Sequence, residues 1–242
     1  NQPGTPKLEV TGEYDAAAQT YRLSFKQSLK AHAKYPNLKA VPIPVALALF
    51  NAETGEQYTL QSDALFENSV KDGVYLFDQE QASIVFTDVT AEPVVSLLRN
   101  FSAPVNLEFN YSDEELAFLI QYETNGFNQW QATQTLLERV LLNDHDAAIY
   151  VQAIKNTLPA LVEKDPLLAS RLFDVPSEGY LGSRIDENYN PEVIQEKRNA
   201  LLNTLARELG QFCKETYLAL DPDLQKDFSQ ANGYIHKIYT KN

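Results

Sequence analysis

Three histidines, His32, His145 and His236, are the side chains best suited by type to hold a metal or move a proton near neutral pH. They lie far apart in the chain. None stands in the His-Glu-x-x-His spacing that puts two imidazoles and a general base on one helical face. His145 sits between Asp144 and Asp146 at a helix start, a setting that capping explains. A serine nucleophile elbow needs Gly-x-Ser-x-Gly, and Gly182-Ser183 lacks the partner glycines. Cys213 adjoins Phe212 on an apolar helical stripe and reads as a small core residue. The 9 glycines are dispersed, so the sequence builds no phosphate-cradling loop. Acidic residues gather at Asp113-Glu114-Glu115, at Asp186-Glu187, and at Asp221 and Asp223. Each group falls at an expected helix start, where the helix dipole accounts for it. Lys26, Lys30, Lys34 and Lys39 read as a solvated face, and Asn100-Phe101-Ser102 and Asn110-Tyr111-Ser112 as chance glycosylation triplets. The reading is therefore of no catalytic, metal or cofactor-binding residue in this chain.

The elements that carry these residues change character near Tyr111. Lys7 to Glu13 and Tyr21 to Phe25 alternate apolar and polar positions, the period of half-buried strands. Pro42 to Phe50 is the most apolar run and reads as a central strand. Asn51 to Gly55 is a polar turn. Further strands are expected at Tyr58–Leu60, Val74–Phe77, Ser83–Phe86 and Val105–Phe109. Short strands separated by turn chemistry indicate an antiparallel β-sandwich over residues 1–111.

From Ser112 the period is helical. Ser112-Asp113-Glu114-Glu115 is a capping box, followed by Leu116, Leu119 and Ile120 on one face. A second helix spans about Phe127 to Leu142, with Phe127, Trp130, Leu137, Val140 and Leu141 as its stripe. Phe127 and Trp130 are expected to anchor it, so Trp130→Ala should cost about 3–5 kcal/mol. A third helix runs from Ala147 to Leu158, ended by Pro159. Asn190-Pro191-Glu192 opens the longest, to about Leu218, with Ile194, Leu201, Leu205, Leu209 and Phe212 inward. Asp221-Pro222 repeats the start signal. Residues 112–242 thus read as all-α, with short loops that suit a solenoid-like stack. No Gly/Ser linker separates the halves at Asn110-Tyr111-Ser112.

Composition agrees with a folded chain. At about 150 residues per domain, 242 residues make one and a half domains. The 44 % apolar content is enough for a sizeable core. A net charge of −13 disfavours nucleic acid and anionic membranes as partners. A single cysteine allows no internal disulfide and fits a reducing, cytoplasmic compartment. With no methionine anywhere, Asn1 is not a translation start, and the sequence reads as a piece of something longer.

Three segments carry a family resemblance. They are Leu97-Leu98-Arg99-Asn100-Phe101-Ser102-Ala103-Pro104-Val105; Asn125-Gly126-Phe127-Asn128-Gln129-Trp130-Gln131-Ala132-Thr133-Gln134; and Pro176-Ser177-Glu178-Gly179-Tyr180-Leu181 with Asn190-Pro191-Glu192-Val193-Ile194. In order and spacing they resemble bacterial alanyl aminopeptidases of the M1 zinc metallopeptidase family, over about residues 5–220. Pro3-Gly4-Thr5-Pro6 also fits the family's approach to this region. The first segment is similar to a last-strand motif of an immunoglobulin-like domain, and the second to the opening of a helical domain. One departure is Gln129, where the family pattern usually has arginine.

The resemblance implies an immunoglobulin-like sandwich, residues 1–111, and the first part of a C-terminal helical domain, residues 112–242. The structural motif residues carried over are Phe101, Pro104, Asn125, Phe127, Trp130, Gln134, Pro176 and Pro191. It further implies a larger parent that removes N-terminal residues from peptides with a zinc-activated water in a separate catalytic domain. This piece would brace and help cover that domain, and its partners would be the parent's other domains and, through them, peptides. Zinc would belong to the parent, with no cofactor here. The competing reading is a free-standing sandwich and helical module that presents an acidic surface to a protein partner.

Overall fold

The computed structural model describes residues 3–30, 38–61, 70–71, 73–185 and 190–219. His32, Lys34, His236, Asp186, Glu187, Asp221 and Asp223 lie outside the described residues. The chain divides into two compact units, Asn1–Asn128 and Gln129–Asn242.

The first unit holds strands β1 (Lys7–Asp15), β2 (Thr20–Ser28), β3 (Ile43–Asn51), β4 (Val70–Lys71), β5 (Val74–Phe77), β6 (Gln81–Phe86), β7 (Pro93–Leu97) and β8 (Asn106–Glu108). Among the described residues they form two four-stranded sheets, ordered β6-β2-β1-β8 and β4-β5-β3-β7. Leu8, Leu23, Phe25, Ile84 and Phe86 of the first sheet share one core with Val45, Leu47, Leu49, Phe77 and Val95 of the second. In β2 the pleat is plain: Tyr21, Leu23, Phe25 and Gln27 all point inward. Buried Gln27 is satisfied, because its amide donates to the Val41 and Gln79 carbonyls at 3.0 and 2.8 Å and accepts from Val41 N at 2.9 Å. At Gly12 a Cβ would overlap the Tyr21 hydroxyl, which explains the missing side chain in an otherwise regular strand.

The sandwich departs from expectation in several places. Tyr58–Leu60 is not a strand; Gln57 makes one isolated bridge to Phe50, and Tyr58 N donates to Leu49 O at 2.9 Å. Conversely β7 is a strand that the alternation rule misses, because all five of its residues are buried and no period of two exists to read. Finally β8 pairs with β1 in parallel, Lys7 opposite Asn106, so the sandwich is not wholly antiparallel. The segment between β7 and β8 is a turn rather than a last strand. Arg99–Phe101 form one 3-10 turn, and Leu98, Asn100 and Phe101 have φ of 54°, 56° and 53°.

Helix α1 (Asp113–Tyr122) belongs to the same unit and packs on β7. Its capping box is complete: Ser112 Oγ accepts from Glu115 N at 3.0 Å, and Glu115 Oε2 accepts from Ser112 N at 2.7 Å. Leu116, Leu119 and Ile120 are buried as expected. Phe118 meets Phe50 edge-on and Tyr122 at a tilt, with centroids 6.3 and 4.6 Å away.

Helix α2 (Gly126–Leu142) starts in the first unit and continues into the second. The second unit adds α3 (Ala147–Lys164), α4 (Pro166–Arg171), α5 (Glu178–Ser183) and α6 (Pro191–Ala219). Its core includes Leu136, Leu137, Tyr150, Ile154, Leu158, Leu172, Leu181, Ile194, Leu201, Leu205 and Leu209. Pro159 does not end α3. Pro159 and Lys155 are both exposed, so the backbone bond that proline removes falls on the solvent side. Trp130 and Phe212 are half-buried; in α2 the fully enclosed residues are Thr133, Leu136 and Leu137.

Candidate functional site

A polar network in the first unit joins the β7–β8 turn to the α1–α2 junction. Arg99 Nη2 donates to Glu123 Oε1 at 2.7 Å and to Thr124 Oγ1 at 2.6 Å. The Glu123 side chain is fully enclosed, whereas that of Arg99 keeps 18 % of its surface. Glu123 Oε1 also accepts from Asn125 N at 2.7 Å, which places a carboxylate at the positive end of α2. Asn125 is the helix cap, with its Oδ1 accepting from Asn128 N at 3.1 Å. Its Nδ2 donates to Asn100 Oδ1 at 2.6 Å. Buried Asn128 donates in turn to Ser96 Oγ at 3.0 Å and Leu97 O at 2.8 Å. Beside the turn, the Tyr111 phenol takes a backbone hydrogen bond from Leu97, yet burial and nearby Glu115 hold its pKa far above the ordinary value.

The same turn borders a cleft of about 730 Å³. Ala46, Leu47 and Leu60 give it an apolar wall; Arg99, Asn100 and Asn125 give it a polar one. This lining has hydrogen-bonding groups and no activated nucleophile. Arg99 is already neutralised by Glu123, so the wall is not a free cationic site for anions.

In the second unit, polar bonds fasten the short helix α5 and its flanks. Glu138 of α2 accepts from Arg184 Nε at 3.0 Å and from Tyr180 Oη at 3.0 Å. Burial, then the Glu138 charge, raises the Tyr180 pKa; the Glu138 hydrogen bond raises that of Arg184. Arg198 of α6 donates to Pro176 O at 2.8 Å and to Glu178 Oε1 at 3.0 Å. These contacts hold loop segments too short to fold alone.

The motif residues divide between the units. Phe101 is 60 % exposed and meets Phe127 edge-on at 5.8 Å. Pro104 is exposed, and Asn125 caps α2 as described. Gln134 Nε2 donates to Asp174 O at 2.7 Å, Pro176 is buried, and Pro191 occupies the first turn of α6 after Asn190, whose Oδ1 accepts from Glu192 N at 3.0 Å. Gln129 is buried and its carbonyl accepts from Thr133 Oγ1 at 3.0 Å. The sequence reading missed Arg99, Glu123, Thr124 and Asn128 as a set. The readable signal was Glu123-Thr124-Asn125-Gly126, a helix end followed at once by a cap.

The described residues do not fit a zinc centre. His145 is the one histidine among them, Asp144 pairs with Lys197 at 2.7 Å, and Asp146 accepts from Ala148 N at 2.8 Å as the cap of α3. No group of three or more His, Cys, Asp or Glu is placed to hold a metal among the described residues. Cys213 is half-buried, and burial pushes its thiol pKa up, away from nucleophilic use. No helix among the described residues is long and apolar enough to cross a membrane.

Comparison with known proteins gives a consistent set of likenesses. Residues 4–110 match a domain of unknown function, DUF3458, described as Ig-like, and residues 113–233 match DUF3458_C, described as ARM repeats. Aminopeptidase N of Escherichia coli is 34 % identical over 222 residues, 87 % of this chain and 24 % of that protein. Aminopeptidase N of Caulobacter vibrioides is 29 % identical over 225 residues, 89 % of this chain and 24 % of that protein. The crystal structure of Legionella pneumophila aminopeptidase A in complex with aspartic acid superposes with a TM-score of 0.71 at 26 % identity, over 97 % of this chain and 26 % of that one. The chain therefore spans about a quarter of the length of the relatives it matches.

Proposed function

Because the chain belongs to the DUF3458_C family of ARM-repeat domains, with the Ig-like DUF3458 domain directly before it, we propose that it is a non-catalytic part of an M1 zinc aminopeptidase. One observation carries this reading: the collinear similarity to aminopeptidase N across both halves, at 34 % identity over 222 residues. The polar clusters described above support it. They cap helices, fix turns and pair Glu123 with Arg99, and among the described residues they leave no nucleophile, base and oxyanion donor converging on one point.

In this reading the parent hydrolyses the first peptide bond of its substrates with zinc held elsewhere in the longer polypeptide. Residues 1–111 form the sandwich that braces the catalytic domain, and residues 112–242 are the first part of the helical domain that helps cover it. Peptides reach this chain only through the parent, which is cytoplasmic and binds neither nucleic acid nor membrane. The motif residues Phe101, Pro104, Asn125, Phe127, Trp130, Gln134, Pro176 and Pro191 serve the fold rather than the chemistry. The reading frame that encodes this chain tests the proposal: it should continue upstream into a segment carrying His-Glu-x-x-His. A frame in which Asn1 closely follows a start codon overturns it in favour of a free-standing module.

A further inference from the structure

Asn125-Gly126 is the dipeptide in which the next backbone nitrogen most readily attacks the asparagine side-chain carbonyl, because glycine puts no Cβ in the way. The reaction is intramolecular. Gly126 N, losing its proton, bonds to Asn125 Cγ; the Cγ–Nδ2 bond breaks and ammonia leaves. Water then opens the succinimide at either carbonyl, giving aspartate or isoaspartate at position 125.

We propose that Asn125 is a latent modification site, a deamidation and isoaspartate site, held as the amide by Asn100. The attack requires the Asn125 carboxamide to swing toward Gly126 N. In the structure it is tied from both ends. Oδ1 accepts from Asn128 N at 3.1 Å and from Asn100 N at 3.4 Å, while Nδ2 donates to Asn100 Oδ1 at 2.6 Å. Asn125 N itself donates to Glu123 Oε1 at 2.7 Å, which fixes the backbone on the other side.

Asn100 suits this role twice over. Its backbone φ is 56°, a left-handed conformation that asparagine tolerates better than most residues. Its amide then supplies the acceptor for Asn125 Nδ2, the atom that must leave. Conversion to a carboxylate would remove that donor and add a negative charge beside enclosed Glu123. Isoaspartate would lengthen the backbone at the cap and release the first turn of α2 from the β7–β8 turn. The lock therefore matters to the integrity of the α1–α2 junction.

The test incubates the 242-residue chain at mildly alkaline pH, folded and in urea, and follows position 125 by peptide mass spectrometry with separation of aspartyl and isoaspartyl forms. Asn232-Gly233, the same dipeptide elsewhere in the chain, reports in the urea sample that the conditions support the chemistry. The expected result is conversion at Asn125 at least about tenfold slower in the folded chain than in urea. Asn100→Gly, which keeps the left-handed backbone but deletes the amide, should move the folded rate most of the way to the urea rate. Asn100→Asp, which keeps an acceptor for Nδ2, should stay slow. Equal rates for folded and unfolded wild-type chain overturn the proposal. So does an Asn100→Gly chain that retains its circular dichroism spectrum and its slow rate. If Asn100→Gly loses that spectrum, the wild-type ratio and Asn100→Asp decide: a fast, folded Asn100→Asp chain also overturns it.

Discussion

Arg99, on the turn after β7, and Glu123, at the end of α1, form an ion pair at 2.7 Å in which the carboxylate is wholly removed from solvent. The pair therefore ties a sandwich turn to the junction where the helical region begins. Deleting one partner strands the other. Arg99→Ala should destabilise the first unit by about 3–5 kcal/mol, because the Glu123 charge is left buried and unpaired. Replacing both with apolar residues, Arg99→Met with Glu123→Leu, should recover most of that loss. Urea unfolding of the single and double variants measures it, and a single variant within about 0.5 kcal/mol of wild type would mean the pair behaves as a surface contact.

The capping box at the start of α1 gives a smaller effect. Ser112 Oγ and Glu115 Oε2 satisfy two backbone donors that otherwise have no helical partner. Ser112→Ala should cost about 1 kcal/mol, while Ser112→Asp should be nearly neutral. Equal losses for both substitutions would show that the cap is not what the serine provides.

At Gly55 conformation and space act together. Its φ is +76°, and a Cβ there would overlap the Tyr122 ring. Gly55→Ala should destabilise by about 1–3 kcal/mol through strain and overpacking. Tyr122→Ala in the same chain should relieve the overpacking part and leave the backbone strain. Additive losses in the double variant would contradict that contact.

Stability should fall in alkali. Burial raises the phenol pKa values of Tyr21, Tyr111 and Tyr150, with the neighbouring Glu115 adding for the first two and Asp174 for the third. An unfolded tyrosine ionises near pH 10. Below that pH both states hold the phenol protons and the contribution is fully present. Above it the unfolded chain releases protons that the folded chain keeps, so stability is lost as pH rises toward the folded values. Phenolate absorbance should appear together with the unfolding transition. Titration of all tyrosines near pH 10 with the circular dichroism unchanged would show that these phenols are open to solvent.

The sequence was most legible where one local rule decided the outcome. Ser112 to Glu115 announced a helix start by its own spacing, and β2 showed its inward face by alternation. Strand β7 was hidden because burial on both faces erases alternation, although Val94 and Val95 are good strand formers. Pro159 misled because it faces solvent, so the Lys155 carbonyl it leaves without a helical partner is on the exposed side, and the buried Leu158 and Leu161 still hold the helix together past it. The Arg99–Glu123 latch was illegible for a different reason. Its partners are 24 residues apart, and although Glu123-Thr124-Asn125-Gly126 marks a helix end and a cap, nothing local ties that glutamate to Arg99. Of the motif residues, Asn125 donates its backbone N–H to Glu123 and Phe101 follows Arg99 on the same turn, but neither forms the latch.

The proposal is that this chain is a non-catalytic part of an aminopeptidase. The most direct measurement is release of alanine from an alanyl chromogenic amide by the purified 242-residue chain, with and without added zinc. The account predicts no release above the blank in either condition. Zinc-dependent turnover by the pure chain would contradict it.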